Sequence, residues 1–223
     1  MALTKNQLRD LYNRRAKHYD FSANLYYLIG FREIRYRKKA ISALGLQTGD
    51  TVVEIGCGTG LNFSYLWELV GKEGKIIGVD FTDAMLKKAR ERVRCNGWQN
   101  VELVQSDAAV YLFPIGVNGV ISTFALTLIP EYEEIIVNAS RAIAPDGRLV
   151  IADFKKPENW PMWLVKLGVL ITRPFGVSLD LTERKPWEVM KKYFSKVALE
   201  EMFGGCVYIA TGENTPEADA LKH

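Results

Sequence analysis

The sequence predicts an α/β fold: a mostly parallel sheet with helices on both faces, preceded by an N-terminal helical lid. Three observations carry that prediction. Short apolar runs of strand length alternate with helix-period segments from Thr51 to Phe154, the pattern of a parallel sheet covered on both faces. The first run, Thr51-Val52-Val53-Glu54-Ile55, carries an acid near its end and opens into the glycine-rich turn Gly56-Cys57-Gly58-Thr59-Gly60. The second, Lys75-Ile76-Ile77-Gly78-Val79-Asp80, again closes on an acid.

In chain order, Thr4-x-x-Gln7 reads as a capping box, and Leu8, Leu11, Tyr12, Ala16 and Tyr19 then recur on one face of an amphipathic helix. A second helix is expected over about 24–44, with Tyr26, Tyr27, Leu28, Phe31 and Tyr36 among arginines and lysines and with Gly45 as its stop. The alternation predicts strand 51–55, helix about 60–70, strand 75–80, helix 82–95 with Thr82 as N-cap, strand 101–105, strand 117–123, helix 131–144 and strand 148–154. Val197–Phe203 and Cys206–Thr211, joined by Gly204-Gly205, read as a closing hairpin. Asn214 to His223 read as a frayed polar tail. The segment from Pro157 to Phe175 is too apolar for an ordinary loop and too short to span a bilayer. With Trp160, Trp163 and Lys166 it has the make-up of a membrane-interface helix, and the alternative is a helix buried over the sheet.

At 223 residues and 48% hydrophobic the chain can bury one substantial core, and no linker divides it. A single domain is expected, partitioned into a lid (1–44), a core (45–155), an apolar and basic insertion (156–196) and the hairpin (197–213). The absence of a spanning run or a signal-like N-terminus implies a cytoplasmic protein. Cys57, Cys95 and Cys206 are odd in number and widely spaced, so free thiols are expected and no metal knuckle. The net charge of +3 hides an asymmetry: residues 1–40 carry ten Lys/Arg against three Asp/Glu, and residues 155–196 carry nine against four. Such flanks suit an anionic membrane surface or simple solvation; with no RNA-binding module visible, nucleic acid is not an expected partner.

Glycine accepts positive φ at little cost and lets a ligand lie against the main chain, so the 56–60 turn marks a nucleotide-type site. A pyrophosphate-binding turn would need its third glycine where Leu61 stands, so a dinucleotide is disfavoured. Asp80 is placed to accept ribose hydroxyls. The series Glu54-x-Gly56-x-Gly58-x-Gly60, Val79-Asp80, Asp107-Ala108, the stretch Gly116 to Pro130, and Pro145-Asp146-Gly147-Arg148-Leu149 resembles the class I S-adenosylmethionine (SAM) methyltransferases over roughly residues 45–155. The resemblance implies a Rossmann-like seven-stranded sheet whose sixth and antiparallel seventh strands are the closing hairpin. It also implies SAM as cofactor and S-adenosylhomocysteine as product. The implied cofactor set is the main chain at Gly56, Cys57, Gly58 and Gly60, with Glu54 on the α-ammonium, directly or through water, and Asp80 on the ribose. Phe81 and Met85 would flank the adenine, Asp107 and Ala108 meet its edge, and Thr123 heads the substrate-facing loop.

That loop, Ser122 to Pro130, lacks the Asn/Asp-Pro-Pro-Tyr/Phe motif of enzymes that methylate nucleobases or planar amides. With Asp153 to Pro157 it resembles the ubiquinone/menaquinone C-methyltransferase type and, more closely, bacterial N-methyltransferases of phosphatidylethanolamine or betaine-lipid precursors. The N-terminal Tyr12-x-x-x-Ala16-x-x-Tyr19-Asp20 resembles the helix with which those families cover SAM, which makes Tyr12 and Tyr19 candidate walls of the transfer chamber and His18 a candidate base. The acceptor expected first is an amino lipid headgroup on the inner membrane face. A soluble amine or quinone-like precursor comes second, and a SAM-binding sensor without catalysis is the non-enzyme alternative.

Overall fold

The computed structural model describes residues 4–15, 31–158, 160–172 and 178–214. Helix α1 (Lys5–Arg15) begins at the expected capping box: Thr4 N–H donates to Gln7 Oε1 at 2.9 Å and Gln7 N–H to Thr4 Oγ1 at 3.3 Å. Helix α2 (Glu33–Ala43) follows, and Gly45, at φ 68°, ends the segment as predicted. The predicted start of that helix, residues 24–30, lies outside the described residues.

Seven strands then form one sheet in the order β3-β2-β1-β4-β5-β7-β6. Strands β1 (Thr51–Ile55), β2 (Lys75–Asp80), β3 (Val101–Gln105), β4 (Val117–Thr123) and β5 (Ile143–Phe154) are parallel; β7 (Val207–Glu213) runs antiparallel to both β5 and β6 (Lys196–Met202). The chain reverses its direction of winding between β1 and β4, which opens a crevice at their carboxyl ends.

Side chains alternate across the sheet and fill two cores. Val53, Ile55, Ile77 and Val79 meet α5 (Tyr132–Ala142) and α7 (Pro186–Tyr193) on one face; Val52, Ile76, Ile121 and Val150 meet α2, α3 (Phe63–Val70) and α4 (Asp83–Asn96) on the other. Glu54 shares Val52's face, so α2 and α3 bury it.

Several expectations need correction. Helix α3 begins at Phe63 rather than near residue 60, because Gly56, Gly58 and Gly60 all sit at positive φ and hold the preceding turn out of helical geometry. Thr82 is the N-cap of α4 as predicted, but its hydroxyl makes no cap bond to the helix and its own N–H donates to Asp80. Helix α5 stops at Ala142 and β5 starts at once, with Val117 paired to Ile143 before the register shifts at Gly119. Asn214 is no frayed end: fully buried, it donates through Nδ2 to Ile143 O at 2.8 Å and exchanges backbone bonds with Gly147 and Asp146.

The Pro157–Phe175 segment forms helix α6 (Met162–Thr172), which buries Val165 but leaves Trp163 and Leu170 mostly exposed. Residues 159 and 173–175 of that segment lie outside the described residues. No described helix is long and apolar enough to cross a membrane.

Candidate active site

A cleft opens at the carboxyl ends of β1, β2 and β4, beneath α1. Its floor is the glycine turn. Gly56 and Cys57 N–H both donate to Val79 O, at 2.8 and 3.1 Å. A side chain at Gly56 would collide with Ala125, its Cβ 2.4 Å from that of Ala125, so the glycine lets the loop after β4 close down on the turn. Gly58, at φ 55°, has open space where a Cβ would stand, and it lines the cleft. Gly60 serves another purpose: Phe63's ring lies 2.5 Å from its would-be Cβ, and Gly60 is not among the lining residues.

Asp80 ties the two turns together. Its Oδ2 accepts from Gly58 N–H at 2.9 Å and its Oδ1 from Thr82 N–H at 2.8 Å, which fixes the carboxyl where it lines the cleft. Burial pushes this carboxyl above the usual range while the backbone N–H donors oppose the shift. Phe81, Met85, Ser106, Asp107 and Ala108 line the same end, with the Arg9 guanidinium 5.6 Å from the Phe81 ring centre. Asp107 Oδ1 accepts from Ala109 N–H at 3.0 Å, which fixes its orientation. Burial raises the Cys57 thiol well above its ordinary value, so it is neutral and fills space.

Behind the opposite wall stands a polar layer that joins four elements. From α2, Arg37 donates through Nε to Glu33 at 2.7 Å, and it also reaches Asn62 Oδ1 and the Thr123 hydroxyl. Asn62 in turn donates to Glu54 Oε1 at 2.7 Å and to Thr123 Oγ1 at 2.9 Å. Glu54 is 1% exposed, and its Oε2 has no hydrogen-bond partner among the described residues. Burial raises its pKa from 4.5 to about 8, against the Arg37 charge and the Asn62 hydrogen bond. Glu54 thus sits one layer behind the cleft wall formed by Arg37 and Thr123 and does not itself line the cleft.

The third wall is the loop after β4. Phe124 takes the left-handed conformation, φ 55°, rare for a bulky residue. Its ring is held in place by Phe31 at 5.6 Å, by Phe154 at 5.2 Å and by the Arg37 guanidinium 5.3 Å from its centre. Leu128, Ile129 and Pro130 of this loop line the cleft, as do Leu8 and Tyr12 of α1, which packs against α4.

Tyr12, Gly56, Cys57, Gly58, Asp80, Phe81, Met85, Asp107, Ala108 and Thr123 therefore share one cleft. Tyr19 and His18 lie outside the described residues. Sequence reasoning missed Arg37, Asn62 and Phe124. The spacing of Glu33 and Arg37, four apart on a helix, was the available signal for the first, whereas Asn62 resembles a helix cap and Phe124 one more apolar loop residue. No described group of three or more His, Cys, Asp or Glu residues could hold a metal.

Fold and site together define a Rossmann-like methyltransferase. A methyltransferase-domain family profile matches residues 46–201, and the chain belongs to that family, whose cofactor is SAM. The chain is 31% identical over 138 residues to a demethylmenaquinone methyltransferase of Listeria monocytogenes, covering 61% of this chain and 58% of that protein. It is 35% identical over 129 residues to a ubiquinone/menaquinone biosynthesis C-methyltransferase of Salmonella arizonae, covering 57% of this chain and 51% of the relative. The chain thus spans between half and three fifths of the length of these relatives. Among solved structures, phosphoethanolamine N-methyltransferase 2 of Haemonchus contortus, in complex with SAM, shares the fold with a TM-score of 0.70 and 17% identity over 93% of this chain and 60% of that one. A SAM-dependent methyltransferase of Aquifex aeolicus gives 0.56 and 23% over 79% and 88%.

The residues present fit SAM. The open side of Gly58 admits a ligand against the main chain, Asp80 and Asp107 line the cleft as hydroxyl and amine acceptors, and the Arg37 cation lines it as well, with the unpartnered Glu54 Oε2 buried behind.

Proposed function

We propose that this protein transfers a methyl group from SAM to the head of an acceptor carried on an apolar tail, and that the head is the amine of a lipid such as phosphatidylethanolamine or a betaine-lipid precursor. The observation that carries the reading is the make-up of the cleft lining: the carboxylates Asp80 and Asp107 stand at the ends of β2 and β3, while the loop after β4 contributes the apolar and aromatic Phe124, Leu128, Ile129 and Pro130, and α1 adds Leu8 and Tyr12.

In this reading Asp80 accepts the ribose hydroxyls, Phe81 and Met85 enclose the adenine, and Asp107 and the Ala108 N–H meet its edge. Arg37 takes the carboxylate of the amino-acid end. Glu54 Oε2, reached through a water, accepts from the ammonium, whose charge favours the ionised carboxylate. Bound there, SAM supplies an electrophilic methyl carbon that passes to the acceptor nitrogen as S-adenosylhomocysteine is released. The chain's contribution is positional: Tyr12 and Phe124 present π faces to a cationic centre and hold the acceptor in line, which suffices for several kcal/mol of barrier lowering. The surplus amine proton leaves to water.

A second acceptor, a quinone precursor methylated on ring carbon, is favoured by the curated relatives, and the same apolar slot would take its ring. Incubation with deuterated-methyl SAM and a panel containing phosphatidylethanolamine and demethylmenaquinol, read by mass spectrometry, decides between them. Label on nitrogen supports the first reading; label on a ring carbon replaces it. Calorimetry of SAM binding to Asp80→Ala and Gly58→Val tests the cofactor site, and undiminished binding in both would sink it.

A further inference from the structure

Helix α6 carries a surface that the cleft does not use. Trp163, Lys166, Leu167 and Leu170 fall within one arc of the helix; Trp163 is 67% exposed, Leu167 45% and Leu170 61%, and Met162 at its edge is 48% exposed. Val165 points the other way and is 5% exposed, so the helix has a seated face as well as an open one. The preceding turn is moored: Trp160 lies over Gly204, whose missing Cβ would stand 3.2 Å from the indole, and Pro157 packs against Gly205.

Position links this face to the cleft. α6 follows the carboxyl end of β5, the edge of the sheet on which the cleft opens, and Phe154 at that end pairs with Val207 of β7. Phe154 stacks on Phe31 at 5.5 Å, and both rings touch Phe124, a wall of the cleft. One aromatic cluster therefore joins the root of α6 to the acceptor end.

We propose that the open face of α6 is a bilayer-docking surface, which seats the protein on anionic lipid with the acceptor end of the cleft turned toward the headgroups. Its chemistry selects this occupant. The exposed side chains offer about 400 Å² of apolar surface, below the roughly 800 Å² per partner of a stable protein interface. Exposed Lys166 stands amid the apolar residues, where it would be left unpaired in a dry protein contact but can extend to a phosphate at headgroup level. Trp163 is the side chain favoured at such a boundary, and at 11 residues the helix can lie in the interface but cannot cross it. Of the nine Lys/Arg in 155–196, Lys155 is buried against Glu201 and Arg184 is bonded to the Thr127 and Ile129 carbonyls, whereas Lys166 stands exposed within the face itself, the cation that meets an anionic leaflet. The docking deepens the lipid-acceptor reading and rests on it only for its purpose, so the two are tested separately.

The test is co-sedimentation with vesicles of phosphatidylglycerol and phosphatidylcholine, and of phosphatidylcholine alone, at 50 and 500 mM salt, with bromolipid quenching of tryptophan fluorescence. The wild type should sediment with the anionic vesicles at least tenfold more than with the neutral ones and lose that binding at high salt. Trp163→Phe should still sediment but lose most of the quenching, and Leu167→Glu/Leu170→Glu should stay in the supernatant while SAM binding, by calorimetry, is unchanged. Wild type that ignores anionic vesicles at low salt, or a double variant that sediments like wild type, overturns the proposal. So does a concentration-dependent dimer, by analytical ultracentrifugation, that Leu167→Glu/Leu170→Glu dissolves, since a second copy then covers the face. Methyl transfer to a short-chain, micelle-free acceptor reports on the lipid reading independently: its absence with docking intact counts against the acceptor alone.

Discussion

Replacing Glu54 by Gln gives the sharpest test of the polar layer behind the cleft. Between its unfolded pKa of 4.5 and its folded value of about 8, Glu54 keeps in the native state a proton that the unfolded chain has released. The native state therefore binds more protons, and stability falls as pH rises through that window, by up to about 1.4 kcal/mol per pH unit. From pH 6 to pH 8 the loss attributable to this one carboxyl is about 2 kcal/mol, which for a domain of this size lowers Tm by roughly 4–8 °C. Glutamine keeps an oxygen for the Asn62 donor and cannot ionise, so Glu54→Gln should flatten the Tm-versus-pH profile between pH 6 and 8 and be more stable than wild type at pH 8. Thermal unfolding by calorimetry across that range is the assay. A variant whose profile is as steep as that of wild type would show that Glu54 is not the buried acid responsible, and the burial argument would fail with it.

Three further outcomes follow from the same geometry. Arg37→Gln removes the one cation that bonds both Asn62 and Thr123, and SAM affinity by calorimetry should fall at least tenfold while the Tm drops by a few degrees; unchanged affinity would remove Arg37 from the cofactor site. Gly60→Ala drives a methyl into the Phe63 ring and strains a left-handed residue, so denaturant unfolding should show a loss of about 2–4 kcal/mol. Phe124→Ala relieves little of the backbone strain yet removes contacts with Phe31 and Phe154; it should raise KM for the acceptor much more than for SAM, and an equal rise in both would place Phe124 at the wrong end of the cleft.

Local pattern alone determined the order of strands and helices from β1 to β5, the glycine turn and the two acids that follow successive strands. Those features are written in periods of two and 3.6 residues and in the φ tolerance of glycine, each of which acts within a few residues of chain. The family resemblance supplied the antiparallel last strand. Element ends were less legible: α5 was cut short where Ile143 paired with Val117. What only the tertiary structure decided are the contacts between distant segments. Arg37 meets Asn62, 25 residues away, and Thr123, 86 away, and a basic helix gives no sign of which of its cations will be buried. Glu54 precedes the glycine turn in the chain, but only the packed layers show that α2 and α3 cover its face of the sheet and keep it off the cleft lining. The apolar stretch before Phe175 stood open between core and surface, and its outcome depended on how much of the sheet edge remained for it to cover. Burial is a property of the assembled layers, and the exposed Trp163 and Leu170 show that they left α6 half outside.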